Sequence, residues 1–227
     1  MFALDNAENL WNQVLKDPDS IIRVGQDEGL FLDFIAKSDP HAIGSNHADQ
    51  KNYAKALSGF SNASGGIIVW GPSTTRRSGS NDVVSDVEMI SDAVAFKANL
   101  DILTAQAVVP LNAGVVNRVV PEGARTGFVV TYVPASDMPP HWALLQVDGY
   151  YIRCGSRFQP MEHFMIADAF GRRRRPALKL AVQVYPVSAD RDSFSPGVLV
   201  SLINVGNHEV KTCAWAQAKM MRTNVLF

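Results

Sequence analysis

Leu57-Ser58-Gly59-Phe60-Ser61-Asn62-Ala63-Ser64-Gly65-Gly66-Ile67-Ile68-Val69-Trp70-Gly71 is the stretch that decides the fold class. Ile67 to Trp70 is apolar at four successive positions, so both faces of the strand it forms must be covered. Its opening residues close a helix, because Tyr53, Ala56, Leu57 and Phe60 recur at i, i+3, i+4 and i+7. That helix is expected from about Ala48. Between the two, Ser61 to Gly66 is turn chemistry. The Gly65-Gly66 pair fits a helix-to-strand turn at positive φ, and the same pair could bring backbone N–H groups close to a phosphate. The structural role is the expected one. Helices alternating with strands place the chain in the α/β (α+β) class.

Upstream, Asp5 to Lys16 reads as a helix, with Asp5 and Glu8 as a loose capping box and Asp17-Pro18 as its stop. Gly29 to Ala36 reads as a strand. Leu30, Leu32 and Phe34 point one way; Phe31, Asp33 and Ile35 point the other. Asp33 thus stands between apolar neighbours and needs a partner, a metal or an opening to water.

Downstream, Pro72 to Asn81 reads as a mobile loop carrying Arg76 and Arg77. Ser85 and Glu88 form a capping-box pattern, and Met89, Ala93, Phe96 and Leu100 extend a helix over most of Asp86 to Ala107. Strands are expected at Val115 to Val120, Phe128 to Val133, Trp142 to Val147 and Tyr150 to Arg153. Asp148-Gly149 marks a hairpin turn between the last two. Pro160 opens a short helix that ends at Gly171, with Phe164, Ala167 and Phe170 inward. Arg172-Arg173-Arg174-Arg175-Pro176 is the boundary candidate. Beyond it, Leu178 to Val184, Val198 to Asn204 and Val210 to Trp215 read as three strands, a small β-sandwich-like segment too short to close alone. Ending on Val225-Leu226-Phe227, that segment is expected to be truncated or completed by another chain. Three parts follow: a helical lead-in (1–27), a main domain (28–173) and a β segment (177–227).

The 227 residues are 47% hydrophobic and 19% charged with a formal net charge of -1, which excludes disorder and a polycation alike. Nucleic-acid binding must then come from locally clustered Lys and Arg. The two cysteines, Cys154 and Cys213, have no metal-ligand spacing and fit a reducing compartment. Met1 to Asp27 shows no secretory signal, and no run is long and apolar enough for a membrane helix. A cytoplasmic protein without membrane partners is expected.

Three motifs in order carry a family resemblance. Glu28-Gly29-Leu30-Phe31-Leu32-Asp33-Phe34 is similar to the acidic opening strand of the Schlafen AlbA-like domain. The stretch from Leu57 to Gly71 resembles that family's helix, Asn-containing turn, Gly-Gly pair and buried strand. Pro140-His141, Tyr150-Tyr151-Ile152-Arg153-Cys154-Gly155-Ser156 and Gln159-Pro160-Met161 resemble its Pro-His, Tyr-Tyr-x-Arg-x-Gly and Met signature. The likeness spans roughly Glu28 to Arg173. It implies a mixed β-sheet flanked by helices and binding of DNA or RNA in bacterial regulation or defence. In some relatives it implies a metal-dependent endoribonuclease, and a homodimer would rebuild the paired groove common in the family. Glu28 and Asp33 match two of three nuclease carboxylates. Where the third is expected the chain has Pro72-Ser73-Thr74, and Ile35 replaces a common basic residue. No Walker-type GxxxxGK[ST] is present, so ATP binding is not expected.

The candidate sites follow. Glu28 and Asp33 would be the catalytic and metal-ligating pair for Mg²⁺ or Mn²⁺, converging only if the backbone bends between them, which Gly29 permits. Asp82 or Asp86 would be a substitute third ligand. Arg76, Arg77, Arg153, Arg157, Arg172 and Arg173 are the candidate nucleic-acid contacts. Arg153 is also expected to buttress the acids through a bidentate pair. His141 is expected to be a hydrogen-bonding structural residue. Tyr150, Tyr151 and Phe158 have base stacking or packing open to them. Nucleic-acid binding leads, with the endoribonuclease second and a non-catalytic interaction module docking through 177–227 third.

Overall fold

The computed structural model of the chain describes residues 6–76, 81–171, 178–190 and 193–204. The chain divides into two compact units, Met1–Arg172 and Arg173–Phe227.

In the first unit the elements run α1 (Ala7–Lys16), β1 (Leu32–Ile35), α2 (His47–Ser61), β2 (Gly66–Trp70), β3 (Pro72–Arg76), β4 (Asp82–Val87), α3 (Ala93–Ala107), β5 (Val108–Val109), β6 (Val116–Val120), β7 (Phe128–Val133), β8 (Trp142–Ala143), β9 (Gly149–Cys154), β10 (Arg157–Pro160) and α4 (His163–Gly171). The central sheet has the order β1-β2-β7-β6. β1 lies parallel to β2, with Asp33 opposite Ile68, and the other pairs are antiparallel. The fold is α+β with a mixed sheet: the α2 crossover joins the parallel pair β1–β2, a short connection joins the antiparallel pair β6–β7, and β7 pairs antiparallel with β2 after a long excursion.

β2 is buried at all five positions. Ile68 and Trp70 join Val129, Val133, Phe60, Phe96 and Leu100 in a core under α2 and α3. Ile67 and Val69 join Leu32, Phe34, Val130 and Val14 in a second core under α1. Asp33 alternates with Phe34 and so stands on the α2 face. α2 begins at His47, one residue before the expected Ala48. Asn46 and Asp49 form a reciprocal cap: the Asp49 N–H donates to Asn46 Oδ1 at 2.9 Å, and the Asn46 N–H donates to Asp49 Oδ2 at 3.2 Å. Gly65 sits at φ +79, where a side chain would also meet Val133 O at 2.7 Å, and the place of a Gly66 Cβ is filled by the Phe60 ring. The glycine pair is thereby accounted for by packing.

A second sheet, β10-β9-β8-β5, packs against α2. Its attachment is polar. Ser58 Oγ donates to His141 O at 2.7 Å and accepts the Tyr151 N–H at 3.0 Å. Asn62 Nδ2 donates to His141 O (3.0 Å) and Tyr151 O (2.9 Å), and Asn62 Oδ1 accepts the His141 N–H at 2.7 Å. His141 is fully buried with Nδ1 2.6 Å from Pro110 O, and burial holds its pKa below the usual histidine value. Its structural role follows from these contacts.

Several expectations are corrected. The loop expected over Pro72 to Asn81 opens as β3, which pairs antiparallel with β4 with Arg76 opposite Asp82. Ser85 therefore lies in a strand, and the helix expected from Asp86 begins at Ala93, capped by Asp92 onto the Ala95 N–H at 3.0 Å. The strand expected over Trp142 to Val147 is two residues long, and β9 pairs with it across a five-residue loop, since Ala143 faces Gly149. α4 begins at His163, and its Phe164 and Phe170 are exposed (62% and 67%) rather than inward.

The second unit contains β11 (Leu178–Asp190) and β12 (Ser193–Asn204), paired as a long antiparallel hairpin with a register shift at Ser188/Asp190. Asp5, Arg77, Arg172 to Arg175 and the strand expected at Val210 to Trp215 lie outside the described residues. Among the described residues no helix is long and apolar enough to cross a membrane.

Candidate functional site

A polar cleft of about 510 Å³ is lined by Glu28, Asp33, Lys55, Asp82, Arg153 and Arg157, with Asn52, Ser73, Thr74, Ser156 and Phe158 among its other walls. Six separate segments converge there: the turn before β1, β1 itself, α2, the β3–β4 hairpin, β9 and β10.

The two acids of the opening segment converge because the chain folds back between them. The Gly29 N–H donates to Leu32 O at 3.1 Å, and the Phe34 N–H donates to Glu28 Oε1 at 3.3 Å. Glu28 is also tied to the β4 entrance, its N–H donating to Asp82 O at 2.9 Å and its carbonyl accepting from Asn81 Nδ2 at 2.9 Å. This brings Asp82 to the same cleft, supplying an acid in the chamber where the position after Gly71 has none.

Arg153 locks the fold-back. Its Nη1 donates to Asp33 Oδ1 at 2.6 Å, Nε and Nη2 donate to Gly29 O at 3.2 and 2.9 Å, and Nη2 also reaches Leu32 O at 2.7 Å. The guanidinium lies 4.4 Å from the Phe158 ring centroid and 5.2 Å from that of Phe60. With 3% of its surface exposed, Arg153 holds the acids in place, and its donors point into the protein rather than toward a nucleic acid. Only Arg fits here, since a planar fork serves one carboxylate and two carbonyls together.

The electrostatics follow from crowding. Glu28 and Asp33 are 5% and 8% exposed. The Glu28 carboxyl is pushed up to about 8, by burial first and by the neighbouring Asp33 second, with Arg153 pulling it down. Burial pushes Asp33 up as well, opposed by its ion pair with Arg153. The ion pair with Arg153 favours the charged form of Asp33, while burial beside that carboxylate favours the neutral form of Glu28. Lys55 is half-buried, its Nζ 5.5 Å from the Tyr151 ring centroid. Burial lowers its pKa while Asp33 raises it.

The lining thus has three carboxyls and three basic groups. With Glu28 protonated the balance is one positive charge. Arg153 is spent on Asp33, so the available positive groups are Lys55 and the exposed Arg157. Arg76 closes β3 opposite Asp82, at the rim of the same hairpin.

A hard divalent cation wants several anionic oxygens. Among the described residues no three His, Cys, Asp or Glu side chains stand close enough to hold a metal. With Asp33 bound to Arg153 and no such cluster of three among the described residues, the donor set as arranged does not fit Mg²⁺ or Mn²⁺. The aromatic candidates are engaged in packing. Tyr150 lies edge-on to Trp142 (4.7 Å) and Phe170 (6.0 Å), Tyr151 packs on the α2 core, and Phe158 meets Phe60 edge-on at 5.1 Å.

Lys55 is the functional candidate that sequence reasoning missed. Its one signal is that it lies two residues past Tyr53 on the polar side of the helix that feeds β2.

No family model matches this chain, and no curated protein matches it. Among solved structures, the crystal structure of the DIP2311 protein from Corynebacterium diphtheriae is similar over 76% of this chain at 14% identity, with a TM-score of 0.42. The match spans 35% of that protein's length.

Proposed function

We propose that this chain is a nucleic-acid-binding protein that takes a backbone phosphate of DNA or RNA into the cleft, working in the bacterial cytoplasm in regulation or defence. The observation that carries this reading is the pair Lys55 and Arg157 on one cleft where Arg153 offsets Asp33 and burial favours the neutral form of Glu28, two of the three acids. Phosphate oxygens accept charge-assisted hydrogen bonds from such groups. Asn52, Ser73, Thr74 and Ser156 add neutral donors around them. The resemblance to the Schlafen AlbA-like domain supports the same class of ligand.

The test is fluorescence anisotropy with labelled single-stranded RNA and DNA over a series of salt concentrations. Affinity falls steeply with salt, and Arg157→Ala lowers the slope of log K against log salt by about 1. Binding that ignores salt, or a slope unchanged in Arg157→Ala and Lys55→Ala alike, overturns the reading. The same samples with added Mn²⁺ address the endoribonuclease reading: cleavage that needs the metal and disappears in Asp82→Asn would replace binding with catalysis as the function.

A further inference from the structure

The cleft holds two donors that the fold itself does not use. Ser156 is 8% exposed and lines the cleft, and among the described residues its hydroxyl has no hydrogen-bond partner. A buried hydroxyl is ordinarily spent, as in Ser58, which donates to His141 O and accepts the Tyr151 N–H. Lys55 is half-buried on α2. Among the described residues its ammonium makes no hydrogen bond or direct ion pair, and its ring contact is with Tyr151. Holding either group dry and unpaired costs free energy, so both are set to meet whatever fills the cleft.

The chain fixes Ser156 there by a tight turn. Cys154 pairs with Arg157, which leaves Gly155 and Ser156 as a two-residue connection between β9 and β10. Gly155 takes φ +63 at the first turn position, the place that a type II′ turn reserves for glycine. Ser156 is thereby held inward while the next residue, Arg157, stands exposed. Arg157 meets a phosphate at the rim; Ser156 and Lys55 meet one only after it has gone down into the cleft. The space of about 510 Å³ has the size of a small-molecule site, roughly 300–1,000 Å³. Drawn as a cube it is about 8 Å across. That admits one or two nucleotides of a strand, whereas the major groove of a duplex alone is about 12 Å wide.

We propose that Ser156 and Lys55 form a recessed phosphate subsite, filled by an internal phosphodiester of a single strand and out of reach of a duplex. The inference rests on the reading of the cleft as a phosphate site and assigns that site the class of nucleic acid it takes. The Ser156 O–H and the Lys55 ammonium donate to phosphate oxygens inside, and Arg157 contacts the chain at the entrance.

The experiment compares, by fluorescence anisotropy at one ionic strength, a labelled oligothymidylate of about 12 residues with the same strand annealed to oligoadenylate. The single strand is expected to bind about tenfold more tightly, or better. Ser156→Ala is expected to lower single-strand affinity about tenfold and to change duplex affinity less than about twofold. It should leave the midpoint of urea unfolding where it was, because the hydroxyl removed has no partner in the free protein. Ser156→Thr keeps the hydroxyl and should restore most of the single-strand affinity, while Arg157→Ala, at the rim, weakens both ligands. Equal salt-dependent affinity for strand and duplex, or unchanged strand binding by Ser156→Ala, overturns the inference and leaves the phosphate-binding reading standing. A lower unfolding midpoint in Ser156→Ala makes the hydroxyl a structural group and overturns it likewise. Binding of neither ligand overturns both readings.

Discussion

The molecule buries two polar clusters within a few residues of each other on β9, and they are built on opposite rules. Around Tyr151, the Ser58, Asn62 and His141 cluster is neutral, and Asn62 uses both its oxygen and its amide nitrogen on backbone groups. Around Arg153, the cluster is ionic: three acids line one cleft, and Arg153 pairs directly with Asp33. The first closes a gap between two sheets and leaves little for a ligand to gain. The second retains an unequal charge balance that opens on a cleft. Ser58 and Asn62 spend their polar groups on backbone partners, whereas His141 Nε2 is buried without one; the ionic cluster is the one that lines a cleft.

The harshest way to break this contrast is at Arg153. Arg153→Ala strands Asp33 and the Gly29 and Leu32 carbonyls in a buried site, and is expected to cost about 3–5 kcal/mol of stability by urea denaturation. Arg153→Lys should recover only part of that, because an ammonium cannot span the three acceptors. A loss no larger than that of a surface substitution would show that the fold-back holds by itself.

Asn62→Ala removes partners from two carbonyls and one N–H, with an expected cost of about 2–3 kcal/mol. The loss should be the same at low and high salt, since no net charge is involved, and a marked salt dependence would erase the distinction between the clusters. Thermal melts at two ionic strengths decide it.

Glu28 gives the finest cut, through pH. Its pKa is raised on folding from 4.5 to about 8, so the folded chain binds the proton more tightly than the unfolded one. Stability linked to Glu28 is full below about pH 4.5, declines as pH rises and is lost above about pH 8. Glu28→Gln is therefore expected to be near neutral in acid and stabilising in mild alkali. The midpoint of urea unfolding across this range reads it, and equal midpoints for both proteins at alkaline pH would refute a retained proton. His141 runs the other way: its lowered pKa means that stability is lost as pH falls, when the unfolded chain takes the proton first.

What could be read from residue order alone divides along the same line. Ile67 to Trp70 announces a central strand because four successive apolar residues need cover on both faces, and β7 matches its expected bounds, Phe128 to Val133. The need for an Asp33 partner was legible from its apolar neighbours, and so was the buttressing by Arg153, although one bond to the carboxylate and three to backbone carbonyls stand where a bidentate pair was expected. Asp82 could be named only as one of two substitute acids, with Asp86, because its place at the cleft depends on a β3–β4 pairing that Ser, Thr and Arg residues in a loop-like stretch do not advertise. Ser85 and Glu88 read as a cap, and the actual cap at Asp92 went unread, because a local capping pattern says nothing about a partner strand. Phe164 and Phe170 follow helical spacing yet face outward, since periodicity identifies a stripe but not what covers it.

Gly59 has a reach beyond its own helix. It touches no charged group, yet the Phe158 ring rests where its Cβ would be, and the other contacts of that ring include the Arg153 guanidinium. A methyl group there would push the aromatic plate against the cation and loosen its hold on Asp33. The grip of Arg153 on Asp33 thus leans, through one phenyl ring, on a carbon that is missing from α2.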